Sequence, residues 1–259
     1  MFERGRLRLL RLANNHVLDW GPAGLIDTLN ALERLRIKTA GAGRNLAEAN
    51  APAIVEIPNE GRLLVLAWAS ETSGVPHHWA ADAGRVGNLL SSLSGATVGS
   101  IVEELAEIRR PKDVVVVSIH SGPNWGYPIL KDQRRFAHAL IEEAGVSVVH
   151  GHSSHHPKAI EVYEGRLILY GCGDFLNDYE GIAGYEEFRG DLSLMYFADV
   201  DASDGRLRAL DMTPLKIRRL QLSRPSSEDV DWLRRTLDRE SAPFGTRVEL
   251  APGGRLAVS

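Results

Sequence analysis

The stretch Asp113-Val114-Val115-Val116-Val117-Ser118-Ile119-His120 decides the fold of this 259-residue chain. Four consecutive valines show no apolar–polar alternation, and a β-branched run of this kind reads as a strand buried on both faces. Such strands sit in sheets covered by helices. Working outward, helical spacing predicts a helix over 98–109, closed by Pro111, and another over 131–144 with Gly145 just past its end. A second short apolar strand follows at 146–149. Upstream, 53–57 and 62–69 read as a hairpin around Asn59-Glu60-Gly61. Residues 6–13 alternate Arg and Leu as a half-buried strand. Trp20-Gly21-Pro22 then opens a helix in which Leu25, Ile26, Leu29, Leu32 and Leu35 recur at helical spacing. Beyond 150 hairpins dominate: 160–163 with 167–170, then 192–200 with 207–212. Ser226-x-x-Asp229 reads as a capping box for a last helix to about 240, and 246–259 as further strand. The predicted fold class is α/β, an αββα sandwich of two stacked mixed sheets with helices outside. Residues 1–215 form the domain; 216–259 are a helix-and-strand extension packing on it.

Hydrophobic residues make up 44% and charged residues 25%, enough for a full core. A formal charge of −4 leaves no basic footprint, which argues against nucleic acid and against adhesion to anionic membranes. A single cysteine, Cys172, excludes an internal disulfide framework. No apolar run reaches membrane-spanning length. Residues 1–13 intersperse Arg4, Arg6, Arg8 and Arg11 among leucines and lack a signal peptide's apolar segment, so the chain as given reads as cytoplasmic.

Potential metal ligands stand at three strand ends: Asn15-His16, His120, and the run His150-Gly151-His152-Ser153-Ser154-His155-His156. Sites in α/β sheets collect beyond the carboxyl ends of strands. Neutral imidazoles with an amide oxygen suit Mn, Fe or Zn better than Ca or Mg. The bland readings differ in weight. A lone histidine such as His120 is usually a satisfied sheet-edge group, and Asn14-Asn15 also suits a plain turn. His138, mid-helix, and His77 and His78, in a loop, read as surface residues. Four histidines in seven residues have no packing rationale and read as metal or phosphate contacts.

Four motifs in order resemble one family. Leu12-Ala13-Asn14-Asn15-His16-Val17-Leu18-Asp19-Trp20-Gly21 is similar to the hallmark of CapA-type capsule and poly-γ-glutamate synthesis proteins. His120-Ser121-Gly122-Pro123-Asn124-Trp125-Gly126 resembles that family's His segment. Gly151-His152-Ser153-Ser154-His155-His156, before Ile160-Glu161-Val162-Tyr163, resembles its Gly-His motif. Leu167-Ile168-Leu169-Tyr170-Gly171-Cys172-Gly173-Asp174-Phe175 resembles its last. The family is related to calcineurin-like metallophosphoesterases. The resemblance implies Asn15, His120, His152 and His155 as metal ligands, with His150 the alternative to His152. It implies His16 as proton donor, with Asp19 and Asp174 orienting histidines.

The family's opening motifs, a strand ending in Asp and a Gly-Asn-Leu-Glu-like segment, have no counterpart before Asn14. The expectation is therefore an N-terminally truncated domain: either the natural chain is longer, and then exported or membrane-anchored, or this is a degenerate member. Without a bridging carboxylate, one divalent ion rather than two is expected. Three functions follow: a metal-dependent hydrolase acting on a phosphoester in cell-envelope polymer synthesis, a non-catalytic partner binding an anionic polymer, or an inactive truncated homologue.

Overall fold

In the computed structural model, which describes residues 7–177 and 183–259, the valine run is the third strand of a six-stranded sheet. The elements in chain order are β1 (Leu9–Arg11), α1 (Gly21–Arg34), β2 (Lys38–Ala40), β3 (Ala42–Gly43), α2 (Leu46–Asn50), β4 (Ala53–Ile57) and β5 (Gly61–Ala69). Then come β6 (Gly87–Asn88), α3 (Gly95–Ile108), β7 (Asp113–His120), α4 (Lys131–Glu142), β8 (Val148–His152), β9 (Ile160–Tyr163) and β10 (Arg166–Leu169). The last third holds β11 (Leu192–Val200), β12 (Leu207–Arg218), β13 (Gln221–Ser223), α5 (Ser227–Ser241), β14 (Val248–Ala251) and β15 (Arg255–Val258). The main sheet runs β4-β5-β7-β8-β10-β9, with four parallel strands in the middle and an antiparallel strand at each edge.

Strand parity divides the main sheet's apolar residues between two faces. Leu64, Leu66, Val115, Val117, Val149 and Ile168 face α3 and α4, whose Ile101, Leu105, Phe136 and Leu140 share that core. On the opposite face, Val148, Leu167 and Leu169 pack against Leu192, Leu194, Leu210 and Met212 of the antiparallel sheet β11-β12-β15-β14. That same face carries Val65 and Ala67, which the parallel pair β1–β2 covers through Leu9, Ala13 and Ala40. The second layer thus comes in two pieces, and Val116, partly buried, borders both.

The C-terminal segment packs on this body: Leu233, Leu237, Val248 and Leu256 belong to the core shared by the two larger sheets. The Ser226 hydroxyl accepts from Asp229 N, and the Asp229 carboxylate accepts from Ser226 N. Ser226→Ala should cost about 1 kcal/mol of stability, read by urea unfolding; no change would mean the helix end is held by packing alone. Strand β12 runs to Arg218, past the boundary expected at 212, and contains Pro214. Pro214 is tolerated because it falls between the β15 partners Asp211 and Met212 and the β13 partners beginning at Lys216, where no ladder donor is required. Strand β1 is shorter than residues 6–13, and β8 continues through His152 rather than stopping at Val149.

Candidate metal centre

That continuation of β8 builds the site. Parallel pairing of β7 with β8 places Ser118 opposite His150 and His120 opposite His152. Val116, Ser118 and His120 alternate onto the face shared with β1, as do Val148, His150 and His152. Two histidines 32 residues apart therefore meet at the carboxyl end of the parallel strands. His120 Nδ1 lies 2.9 Å from His152 Nδ1, and His120 Nε2 lies 3.2 Å from Asn15 Oδ1. Asn15 is delivered by the loop after β1, where Asn88, fully buried, donates to the Asn14 carbonyl.

The partners assign the tautomers. His120 Nε2–H donates to Asn15, His152 Nδ1–H donates to His120 Nδ1, and His152 Nε2 is left as a bare lone pair. That atom is buried and has no hydrogen-bond partner among the described residues. Both rings are neutral. Burial, with the charges of Arg11, His16 and His155 added, lowers the pKa of His120 to about 4. Burial and Arg11 hold His152 well below the ordinary histidine value and bring His150 to about 3. His150 Nδ1 pairs with Ser118 Oγ at 2.9 Å.

Neutral imidazoles are the form that ligates metal. In a tetrahedral site with Zn–N near 2.0–2.1 Å, ligating nitrogens sit roughly 3.3 Å apart, close to the separation of the two Nδ1 atoms. The pair would hold one transition-metal ion at both Nδ1 atoms only with the His152 proton moved from Nδ1 to Nε2. It does not form one point with Asn15, because Asn15 holds the opposite edge of the His120 ring. Among the described residues no three His, Cys, Asp or Glu side chains form a metal cage, and no carboxylate stands where two ions would need bridging. Cys172 is a buried thiol pushed up to about 12 by burial, so it stays protonated.

The other expected residues line the rim. His16 Nδ1 and Asp19 Oδ2 are 2.9 Å apart, both exposed. His155 Nδ1 and Asp174 Oδ2 are 2.9 Å apart, and the His155 ring leans on Trp125. Both His16 and His155 act electrostatically on His120, yet neither shares its hydrogen bonds. His156 is structural: fully buried, it donates from Nδ1 to Pro157 O and accepts at Nε2 from Gly126 N. His138, expected at the surface, is mostly covered. It stacks on Tyr163 at 3.6 Å and bonds Glu161 Oε1, because β9 runs beneath α4 there.

Two backbone features fix the cluster. Ser153 has φ 138, rare for a side-chain-bearing residue, and its hydroxyl donates to Gly122 O. A Cβ at Gly151 would stand 2.6 Å from Tyr170 O and 2.7 Å from Leu169 O. Gly151→Ala would therefore push β8 off β10 and cost about 2 kcal/mol of stability by urea unfolding. An unchanged midpoint would show that β10 yields freely.

Residues 1–179 match the family described as bacterial capsule synthesis protein PGA_cap. The chain belongs to that family. A probable polyglutamine synthesis accessory protein of Mycobacterium tuberculosis is 44% identical to this PGA_cap chain over 255 residues, covering 98% of it and 67% of the relative. The PGA biosynthesis protein CapA of Bacillus subtilis is 30% identical over 170 residues, 66% of this chain and 42% of that one. The capsule biosynthesis protein CapA of Bacillus anthracis is 26% identical over 214 residues, 81% and 48%. The chain thus spans less than half the length of these two Bacillus relatives. A solved phosphatase structure from Mycoplasma pneumoniae aligns at 12% identity and a TM-score of 0.38, over 67% of this chain and 58% of that one, too low to support a comparison of sites.

Proposed function

We propose that this PGA_cap chain is a metal-dependent phosphoester hydrolase serving synthesis of a capsule or polyglutamate polymer. The observation that carries the reading is the meeting of two neutral imidazoles, His120 and His152, at the carboxyl end of the parallel strands. These two rings would hold one ion of Mn, Fe or Zn, which when bound supplies an activated water and polarises a phosphoryl oxygen. Asn15 orients His120 through its far nitrogen, a support of the kind that tunes a ligating histidine. His16 stands at the rim with Nδ1–H held by Asp19, so in its protonated form the ring would give the Nε2 proton to a departing oxygen. Asp174 fixes His155 in the same manner on the opposite rim.

The test is direct. Chelator-stripped protein should cleave a bis-aryl phosphodiester when Mn²⁺ is restored and lose that activity with fresh chelator. Absence of turnover with Mn²⁺, Fe²⁺ and Zn²⁺ alike would sink the hydrolase reading. The second reading, a non-catalytic partner for an anionic polymer, is favoured by the two-donor count between the facing rings, short of the three protein ligands usual in catalytic zinc sites. It predicts polymer binding with no turnover.

A further inference from the structure

Arg11 occupies an unusual position. Leu9 on β1, and Ala13 two residues past its end, pack with Val65 and Ala67 of the main sheet. Arg11 shares their parity, so its side chain is directed onto the same face, where Ser118, His120, His150 and His152 lie. It is half-buried. No hydrogen bond or ion pair joins it among the described residues. Its charge acts on His120, His150 and His152.

Among the described residues, neither Cys172 nor Asp174 neutralises it. Cys172 is a thiol rather than a thiolate. Asp174, the one carboxylate acting on Arg11 among the described residues, is already taken by His155 Nδ1 and by Asn177 Nδ2 at 2.5 Å. A guanidinium taken part-way out of water without a partner is costly, and the cost is removed by an anion that reaches it. The planar fork of arginine matches an oxyanion with two parallel hydrogen bonds.

We infer that Arg11 forms an oxyanion-binding site beside the His120–His152 pair, taking a phosphoryl group or a carboxylate of the ligand. Under the hydrolase reading this places the anionic group next to the metal pair. The site itself does not depend on turnover. Arg11 also sets one cation in the centre already, which disfavours a second divalent ion by like-charge repulsion.

The experiment uses the whole chain without metal, so that its outcome is separate from hydrolysis. Inorganic phosphate is titrated into chelator-treated protein, followed by calorimetry and by the Arg side-chain Nε–H resonances. Saturable binding is expected, weakened at least about tenfold in Arg11→Gln and less in Arg11→Lys, with Arg8→Gln, exposed and of opposite parity, unchanged. Circular dichroism checks each variant's fold, and Arg11→Lys carries the test if Arg11→Gln does not fold. Competition by glutarate assigns the site to carboxylates as well; none assigns it to phosphate alone. Absence of phosphate binding in the wild type, or equal binding in wild type and the Arg11 variants, overturns the proposal. Phosphate binding without phosphodiester turnover would retain Arg11 and reject the hydrolase.

Discussion

His120→Ala is expected to lower Mn²⁺-dependent phosphodiester cleavage on the order of 10³-fold, the scale of removing a group on which a catalytic unit is built. The expectation follows from the position of the ring between two partners. One edge faces His152 and the other Asn15, so its loss removes one imidazole and frees the orientation of the second. His152→Ala should cost about as much, and the double variant little more, because the two act as a unit. Asp19→Asn, which only loosens His16, should cost about 10- to 100-fold. His120→Ala also strands the buried His152 Nδ1–H, so stability should fall by about 1–3 kcal/mol. Folded variants with undiminished turnover would refute the assignment of these histidines.

The largest effect on stability is expected from pH. His120, His150 and His156 have folded-state pKa values of about 4, 3 and 4, in each case first because burial disfavours the charged ring. Each lies below the unfolded value near 6.5. Between those limits the unfolded chain binds more protons than the folded one, so acid favours unfolding. The contribution is complete above about pH 6.5 and is lost as pH falls toward 4. At roughly 1.4 kcal/mol per unit per group, three groups over about two units should cost metal-free protein on the order of 8 kcal/mol between pH 7.5 and 4.5. The paired carboxylates act later. Burial raises both Asp113 and Asp229, but the hydrogen bonds and charges of Arg62 and Arg110 at the first, and the hydrogen bonds of Arg189, Lys216 and Ser226 at the second, together outweigh it and leave both depressed, so their losses fall below the histidine window. Urea unfolding across this range is the measurement. A flat profile from pH 6.5 to 4.5 would show that the buried imidazoles protonate freely in the fold.

Much of this architecture was legible in the chain. The unbroken valine run marked β7 as a strand buried on both faces, and it sits inside the main sheet with helices on one side and strands on the other. The hairpin around Asn59-Glu60-Gly61 forms with 57 paired to 61, and the capping box at Ser226 closes as read. These are local signals, set by periodicity and turn chemistry within about ten residues. Arg11 was legible too, and was passed over. The Arg–Leu alternation breaks at Leu10-Arg11, which moves Arg11 onto the face of Leu7 and Leu9. His138 was misread because nothing in its own helix announces that Tyr163 lies flat beneath it.

By itself the sequence determined the kinds of element, their order, the family, and the residue types gathered at the strand ends. Tertiary structure alone decided which nitrogen of His120 meets His152 and which meets Asn15, that His155 turns to Asp174, and that the second layer comes in two pieces meeting at Val116. The reason is that strand register and ring orientation are fixed by partners a hundred residues away, through packing and hydrogen bonds that no local pattern encodes.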